Sequence, residues 1–322
     1  MSFFGRTRIS VAMCTYNGDR FLSAQLTSIA QQTRLPDELV VCDDRSTDQT
    51  LSFLRAFADS VSFPVKIFVN EQNLGFAANF ETAIRRCTGE LIALSDQDDV
   101  WYPQRLERSE QELAEHPEAG LVFSDGDLID EQDQPLSRTL WQRLGFDAER
   151  RHALMFGQLV VLAKHRFVTG ATIMFRANLR AHCLPIGQGW IHDEWIVMTA
   201  AAFAGLRPIE EPLIRYRVHG TQQVGFTNKL EKRAQGATRA ERHWSRVADS
   251  AQELQQIRDA LGPDVLPEYL EHLEFLQFRA NLPSWRLARL GAILSHAGKY
   301  KVHASGVASM MKDLALARQR VT

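Results

Sequence analysis

The chain has 322 residues, 45% hydrophobic and 24% charged, with 37 Lys and Arg against 39 Asp and Glu and a formal net charge of -2. That length suits one large α/β domain, or one domain with an appendage, in a soluble globular protein. The near-balanced charge gives no global case for nucleic acid as a partner, so any cationic surface has to be local. The N-terminal MSFFGRTRIS lacks the long apolar stretch of a secretory signal. No apolar run approaches the ~20 residues that cross a bilayer, and a cytoplasmic protein is expected. Cys14, Cys42, Cys87 and Cys183 show no CxxC spacing. They read as small buried residues in a reducing compartment, not as a disulfide or zinc framework.

In chain order, Ile9 to Cys14 is a short β-rich run and predicts the first strand, followed by a turn at Thr15-Tyr16-Asn17-Gly18-Asp19. Phe21, Leu22, Leu26 and Ile29 have helical spacing. Leu39 to Cys42 predicts a second strand ending in Asp43-Asp44. Ser46-Thr47-Asp48 then reads as the N-cap region of a helix through Phe57. Val65 to Val69 predicts a third strand, Asn73-Leu74-Gly75 a turn, Phe76 to Arg86 a helix, and Leu91 to Ser95 a fourth strand. Strands alternating with helices imply right-handed crossovers and a mainly parallel sheet. The polar ends of strands one, two and four then share one edge, which gathers Tyr16, Asp44 and Asp96-Asp98-Asp99 around one cleft. Ligands of open α/β sheets bind at such an edge.

The apolar run before Asp96 stops in three carboxylates within four residues, Asp96, Asp98 and Asp99. They repel one another and call for a positive partner. A hard divalent cation, Mg²⁺ or Mn²⁺, suits oxygen ligands and shares its coordination with substrate phosphates. A solvated acidic turn is the other reading. No G-x-G-x-x-G follows the first strand and no G-x-x-x-x-G-K-[ST] occurs, which disfavours a dinucleotide site and a P-loop.

After Pro103 an amphipathic helix is predicted to about Glu115, then a strand at Leu121 to Ser124 with an edge at Leu128-Ile129. Arg138 to Arg151 is polar and reads as irregular, either a loop over the cleft or a surface connection. Leu154 to Ala163 predicts a helix, Thr169 to Phe175 a strand, and Gly189 to Trp195 opens an apolar helix to about Phe203. Asp193 and Glu194 suit a helix N-terminus, and as helical neighbours ~100° apart at most one faces the cleft. Trp190 and Trp195 read as a sugar platform or as core. Ile214 to Val218 predicts a strand with Arg215, Arg217 and His219 on one face, suited to a diphosphate or simply exposed, and with Tyr216 and Val218 on the other.

From about Lys229 the pattern is helical, with a break at Gly262-Pro263. Residues 275–311 contain no Asp or Glu but hold Arg279, Arg286, Arg289, Lys299 and Lys301 among apolar residues. Such a stretch can lie on an anionic membrane surface, or pack on the rest of the chain or on a second copy in a homodimer.

Six stretches, CTYNG, VVCDDRSTD, NEQNLGFAAN, DQDDVWYPQRL, HDEW and RYRVHGTQQVG, resemble in order the family 2 glycosyltransferases of the GT-A fold. The match covers residues 8 to about 225. It implies a catalytic domain over 1–225, with a nucleotide-sugar half to about 125 and an acceptor half beyond, and a helical region over 226–322. Within the family, LSDQDDVW, HDEW and RYRxHG are most similar to bacterial rhamnosyltransferases of surface-polysaccharide assembly. The resemblance implies that Thr15, Tyr16, Asn17 and Asp44 hold the nucleotide, that Asp96 contacts the ribose, and that Asp98, Asp99 and His219 hold the metal. It further implies that Arg215 and Arg217 assist at the diphosphate, and that Trp101, Trp190, Glu194 and Trp195 meet the acceptor. Asp193 matches the family's catalytic base, in an inverting single displacement. The family often has Glu-Asp where this chain has His192-Asp193, so Glu194 is the alternative base. The expected partners are a nucleotide-sugar donor (dTDP-rhamnose or a UDP-sugar) and a saccharide or lipid-linked saccharide acceptor, the latter met at the inner membrane face. A nucleotidyltransferase and a non-catalytic scaffold are the competing classes.

Overall fold

Buried aliphatic runs become the central strands. In the first unit these are β1 (Ile9–Thr15), β2 (Glu38–Asp43), β3 (Val65–Val69) and β4 (Leu91–Ser95), all mutually parallel in the order β3-β2-β1-β4. Every residue of β1, β2 and β4 is buried, as expected of strands covered on both faces. The crossovers are α1 (Asp19–Ala30), α2 (Thr50–Ser60) and α3 (Phe76–Arg86). α1 buries Leu22, Leu26 and Ile29, residues on the predicted apolar face. The structure, a computed structural model, describes residues 6–156, 158, 161–162, 165–220, 239–262, 265, 267–304 and 306–316. The chain divides into one unit of residues 1–158 and 165–221 and a second of 159–164 and 222–322.

The sheet is more mixed than the alternation predicts. It continues through β8 (Ile173–Arg176), β6 (Leu121–Ile129), β9 (Leu206–Arg217) and β5 (Val100–Trp101), with β7 (Pro135–Thr139) paired to β6. β8 is antiparallel to both β4 and β6, and β5 is antiparallel to β9. Only β6 and β9 pair parallel in this half. β4 ends mid-sheet while β5 lies at the far edge, four strand steps or ~19 Å away in a flat sheet. Residues Asp96 to Asp99 can bridge at most ~17 Å. The sheet therefore curls, and the three acids sit in the segment between β4 and β5, which bends at Gln97 and Asp98.

Arg138 to Arg151 is not irregular. It holds the end of β7, α5 (Leu140–Leu144) and the start of α6 (Ala148–Phe156). A capping box at Thr139 and Gln142 opens α5 and buries Leu140 and Trp141. Thr169 to Phe175 starts with a 3₁₀ turn at Gly170–Thr172 before β8. The short α7 (Arg180–Cys183) precedes α8 (His192–Phe203), and α4 (Arg105–Glu115) follows Pro103 as expected. All four cysteines are buried and free, as expected. The predicted helix over Leu154 to Ala163 lies only partly within the described residues, and Thr221 to Gly225 lies outside them.

The second unit is helical: α9 (Arg239–Leu261), α10 (Pro267–Ala280), α11 (Arg286–Ser295), α12 (Ala297–His303) and α13 (Val307–Ala315). Phe275, Leu282, Ile293 and Tyr300 form its core. Beside them the fully buried Asp313 carboxylate accepts two bonds from Arg279 at 2.7 and 2.8 Å and the Tyr300 hydroxyl at 2.7 Å, and meets His243 Nε2 at 2.7 Å. Burial alone would raise its pKa. The bonds from Arg279, His243 and Tyr300 prevail and hold it at about 2.

Candidate active site

The parallel register lines up Thr15 with Asp43, and Met13 with Ser95, so the loops after β1, β2 and β4 emerge together. Thr15 is buried and its hydroxyl donates to Asp43 Oδ2 at 2.7 Å, the oxygen that also accepts the Ser46 hydroxyl. Asn17 sits at φ 46°, a left-handed conformation that asparagine tolerates. Its N–H donates to Ser46 Oγ and its Oδ1 accepts the Thr47 N–H. Gln97 locks this turn to the acidic loop. Its Oε1 accepts the Tyr16 N–H at 2.8 Å and its Nε2 donates to the Tyr16 carbonyl at 3.1 Å. A Cβ at Gly18 would lie 2.2 Å from Gln97 Oε1, so a side chain there would displace the Gln97 amide from these bonds. Tyr16 is left 37% exposed at the cleft.

Asp44 is 3% exposed. Its Oδ1 accepts Asn70 Nδ2 at 2.9 Å and the Leu74 N–H at 2.7 Å, and its Oδ2 accepts the Gly75 N–H at 2.9 Å. It thus ties down the turn before α3, and Oδ2 is the oxygen with capacity to spare.

The acidic loop is short of positive charge. Burial first, then Asp98 and Asp193, raise the Asp96 carboxyl to about 8, against Arg105. Burial with Asp98 and Asp96 holds Asp99 well above the carboxylate range, although the Arg217 N–H donates to its Oδ1 at 3.0 Å. Asp99 Oδ2 is buried without a hydrogen-bond partner among the described residues. The counter-charge is Arg105, 1% exposed, stacked 3.6 Å from the Trp101 ring and donating to the Leu94 carbonyl at 2.9 Å. Burial draws Arg105 itself down to about 9, and its Nη1 is unpartnered among the described residues. The Tyr216 hydroxyl is pushed well above its ordinary value by burial and then by Asp99, Asp96, Asp98 and Asp193.

β9 delivers its residues unevenly. His219 Nε2 lies 2.8 Å from Asp98 Oδ2, with the ring tilted on Phe21. Arg215 lies 5.9 Å from the Tyr102 ring, and its buried Nε has no hydrogen-bond partner among the described residues. Arg217 does not reach a diphosphate. It is 1% exposed and spends its guanidinium on the Asp98 and Asp130 carbonyls and on Asp133. At the start of α8, Asp193 Oδ2 accepts the Gly170 N–H at 3.1 Å and its Oδ1 the Glu194 N–H at 2.7 Å. Glu194 points toward Arg166, 3.9 Å away. His192 stacks on Phe80 at 3.9 Å, and burial lowers its pKa to about 3, so it is neutral packing. The three tryptophans expected to meet the acceptor are core residues instead. Trp101 and Trp195 are 3% and 2% exposed, the Trp195 indole N–H donates to the Cys183 carbonyl, and Trp190 packs edge-on against Trp195. The apolar faces a sugar would need are already covered by protein.

Among the described residues no group of three His, Cys, Asp or Glu side chains converges as a finished metal cage. The donor set nevertheless fits a hard divalent cation. Asp98 and His219 are already in contact, Asp99 Oδ2 is orphaned, and the local charge is too negative for Arg105 to balance.

The sequence profile of Glycosyl transferase family 2 matches residues 10–178, more than half of the chain. The chain belongs to glycosyl transferase family 2. A named relative is the Escherichia coli UDP-Glc:alpha-D-GlcNAc-diphosphoundecaprenol beta-1,3-glucosyltransferase WfgD. It is 37% identical over 99 residues, which cover 31% of this chain and 38% of that protein. The chain thus spans less than half the length of this relative. Among solved structures, TarS 1-349 of S. aureus with UDP-GlcNAc superposes with a TM-score of 0.56 at 15% identity, covering 95% of this chain and 89% of that one. The mannosyltransferase PcManGT of Pyrobaculum calidifontis, solved with GDP-Man and Mn²⁺, gives 0.52 at 20% identity over 97% and 81%. These likenesses identify the fold as GT-A, a mixed sheet flanked by helices with further helices at the C-terminus.

Within this family 2 glycosyltransferase, three residues beside the cluster escape sequence reasoning. Arg105 looks like an ordinary helix-start arginine; its signal is Trp101, i-4 to it and placed to stack. Tyr216 falls on the strand face opposite the arginines, yet it is the residue whose hydroxyl feels all four acids. Gln97 looks like a spacer between aspartates.

Proposed function

We propose that the protein is an inverting, metal-dependent glycosyltransferase that moves a sugar from a nucleotide diphosphate to a saccharide or lipid-linked saccharide hydroxyl in bacterial polysaccharide synthesis. The observation that carries this is the convergence of Asp96, Asp98, Asp99 and Asp193 at one sheet edge with too little protein charge to balance them. Tyr16, Asn17 and Asp44 line the nucleotide side, and Asp96 is placed for the ribose. A divalent cation held by Asp98 and His219, with Asp99 beside them, would neutralise the diphosphate as it leaves. Arg215, with its spare Nε donor, supports the same charge. Asp193, held by two backbone N–H groups, takes the acceptor hydroxyl proton as the oxygen attacks the anomeric carbon. Asp193 is favoured over Glu194 because Glu194 turns toward Arg166, 3.9 Å away, whereas Asp193 acts on Asp96 and Tyr216.

The donor is read as dTDP-rhamnose from the LSDQDDVW, HDEW and RYRxHG stretches. A UDP-hexose is the second reading, favoured by the likeness to WfgD, whose name also supports a lipid-linked acceptor. The test is release of nucleotide diphosphate from a panel of nucleotide sugars with Mn²⁺ or Mg²⁺, with and without a lipid-linked oligosaccharide. Turnover of one donor, abolished by chelator and by Asp98→Asn, is the expected result. Consumption of a UDP-sugar instead of dTDP-rhamnose overturns the rhamnosyl reading. No turnover and no nucleotide binding under either condition overturns the enzyme reading.

A further inference from the structure

We propose that the helical second unit carries a face that docks on an anionic lipid bilayer. In α11, Arg289 and Ile293 form the buried stripe. Leu287 and Leu294, 85% and 59% exposed, form a second apolar stripe with Leu290, roughly 100° around the helix. Trp285 stands 70% exposed just before it, and Val302, Val307 and Met311 stand 66%, 71% and 59% exposed on α12 and α13. Single exposed apolar residues are ordinary, but this many large ones within 285–311 is not.

Charge decides what covers this face. Residues 275–311 contain no acid. Two of the five basic residues there are internal: Arg279 is spent on Asp313, and Arg289 on the carbonyls of Pro283, Ser284, Asp313 and Leu316. Arg286, Lys299 and Lys301 remain exposed, joined by Lys312, and Lys299 meets Glu274 at 3.6 Å. Asp313, the next acid, is fully buried and already paired. Glu274 answers Lys299 and Glu271 lies 3.8 Å from His303, so a two-fold pairing of this face with itself would set Arg286, Lys301 and Lys312 against their own copies. An anionic bilayer complements both features: the leucines and valines enter the interface, Trp285 sits at headgroup depth, and the lysines reach lipid phosphates. The surface would bring the enzyme to a lipid-linked acceptor if the proposed function holds, but docking itself needs neither donor nor metal.

The test is flotation of the full chain with vesicles of phosphatidylethanolamine and phosphatidylglycerol, in the absence of nucleotide. The wild type is expected to float at low salt. Binding should fall about tenfold or more at high salt, on phosphatidylcholine vesicles, and in Leu287→Glu/Leu294→Glu or Lys301→Glu chains. Donor hydrolysis and circular dichroism of those variants should match the wild type, which separates lost docking from lost folding or lost chemistry. No flotation of the wild type on the anionic vesicles at low salt overturns the proposal. So does equal flotation of the leucine variant, or a wild-type dimer that the leucine variant converts to monomer in light scattering.

Discussion

The two units treat buried carboxylates in opposite ways. Asp313 is enclosed by the helical unit and answered there by Arg279, His243 and Tyr300, and its pKa falls to about 2. Asp96, partly buried, and Asp99, 1% exposed, follow the end of β4 and are answered by little more than Arg105; both carboxyls are raised above the usual range, Asp96 to about 8. The first arrangement is complete without anything added and serves folding. The second leaves oxygen atoms and charge unsatisfied, which a fold tolerates where something else is to bind.

That contrast can be broken most sharply by exchanging what each site loses. Asp193→Asn should lower kcat about 10²–10⁴-fold with only a small drop in melting temperature, because the amide oxygen still accepts one of the two backbone N–H groups, Gly170's and Glu194's, that the carboxylate holds. A comparable loss of stability would mean that Asp193 is structural. Asp313→Ala should do the reverse, destabilising the protein by about 3–5 kcal/mol in urea titrations by leaving Arg279 buried and alone, with kcat of the folded fraction intact.

The pH dependence should have two arms in metal-free protein. Asp313 is depressed, so its contribution, about 2 kcal/mol from the shift, is present above pH ~4 and fades as pH falls toward 2. Asp96 is raised to about 8, so the folded state keeps a proton that the unfolded chain has released, and stability declines as pH rises from ~4 to ~8. Added Mn²⁺ should recover stability on the alkaline arm alone; recovery on the acid arm would contradict the assignment. The smallest effect is expected from Asp99→Asn, which keeps the acceptor for the Arg217 N–H and replaces a buried carboxyl by an amide that cannot ionise as pH rises. It should stabilise the metal-free protein by about 1 kcal/mol and reduce the stabilisation that Mn²⁺ provides, both measurable by thermal shift.

The N-terminal part of the sheet was legible because β1, β2 and β4 are buried on both faces, so composition alone marks them, and because their acids sit at the strand ends. The other half was less so. β9 extends back to Leu206, but Pro208, Glu210, Glu211 and Pro212 interrupt its apolar pattern where it bulges against Ser124 and Asp125. α5 was hidden in polar sequence, although the Thr139–Gln142 capping box was there to be read. The site residues divide the same way. Asp98 and His219 come together as their motifs imply, whereas Arg217 and the tryptophans were misjudged because residue type does not reveal how many neighbours already occupy a side chain.

Gln97 makes with Tyr16 the same two-way amide exchange that adjacent backbones make in an antiparallel ladder. Its carboxamide is a surrogate peptide group, and the acidic loop after β4 and the turn after β1 are in effect stitched like two strands. The stitch fits only because position 18 has no side chain. Positions 18 and 97 are therefore coupled: a side chain at the first would redirect the Gln97 amide and release the acidic loop from the turn after β1.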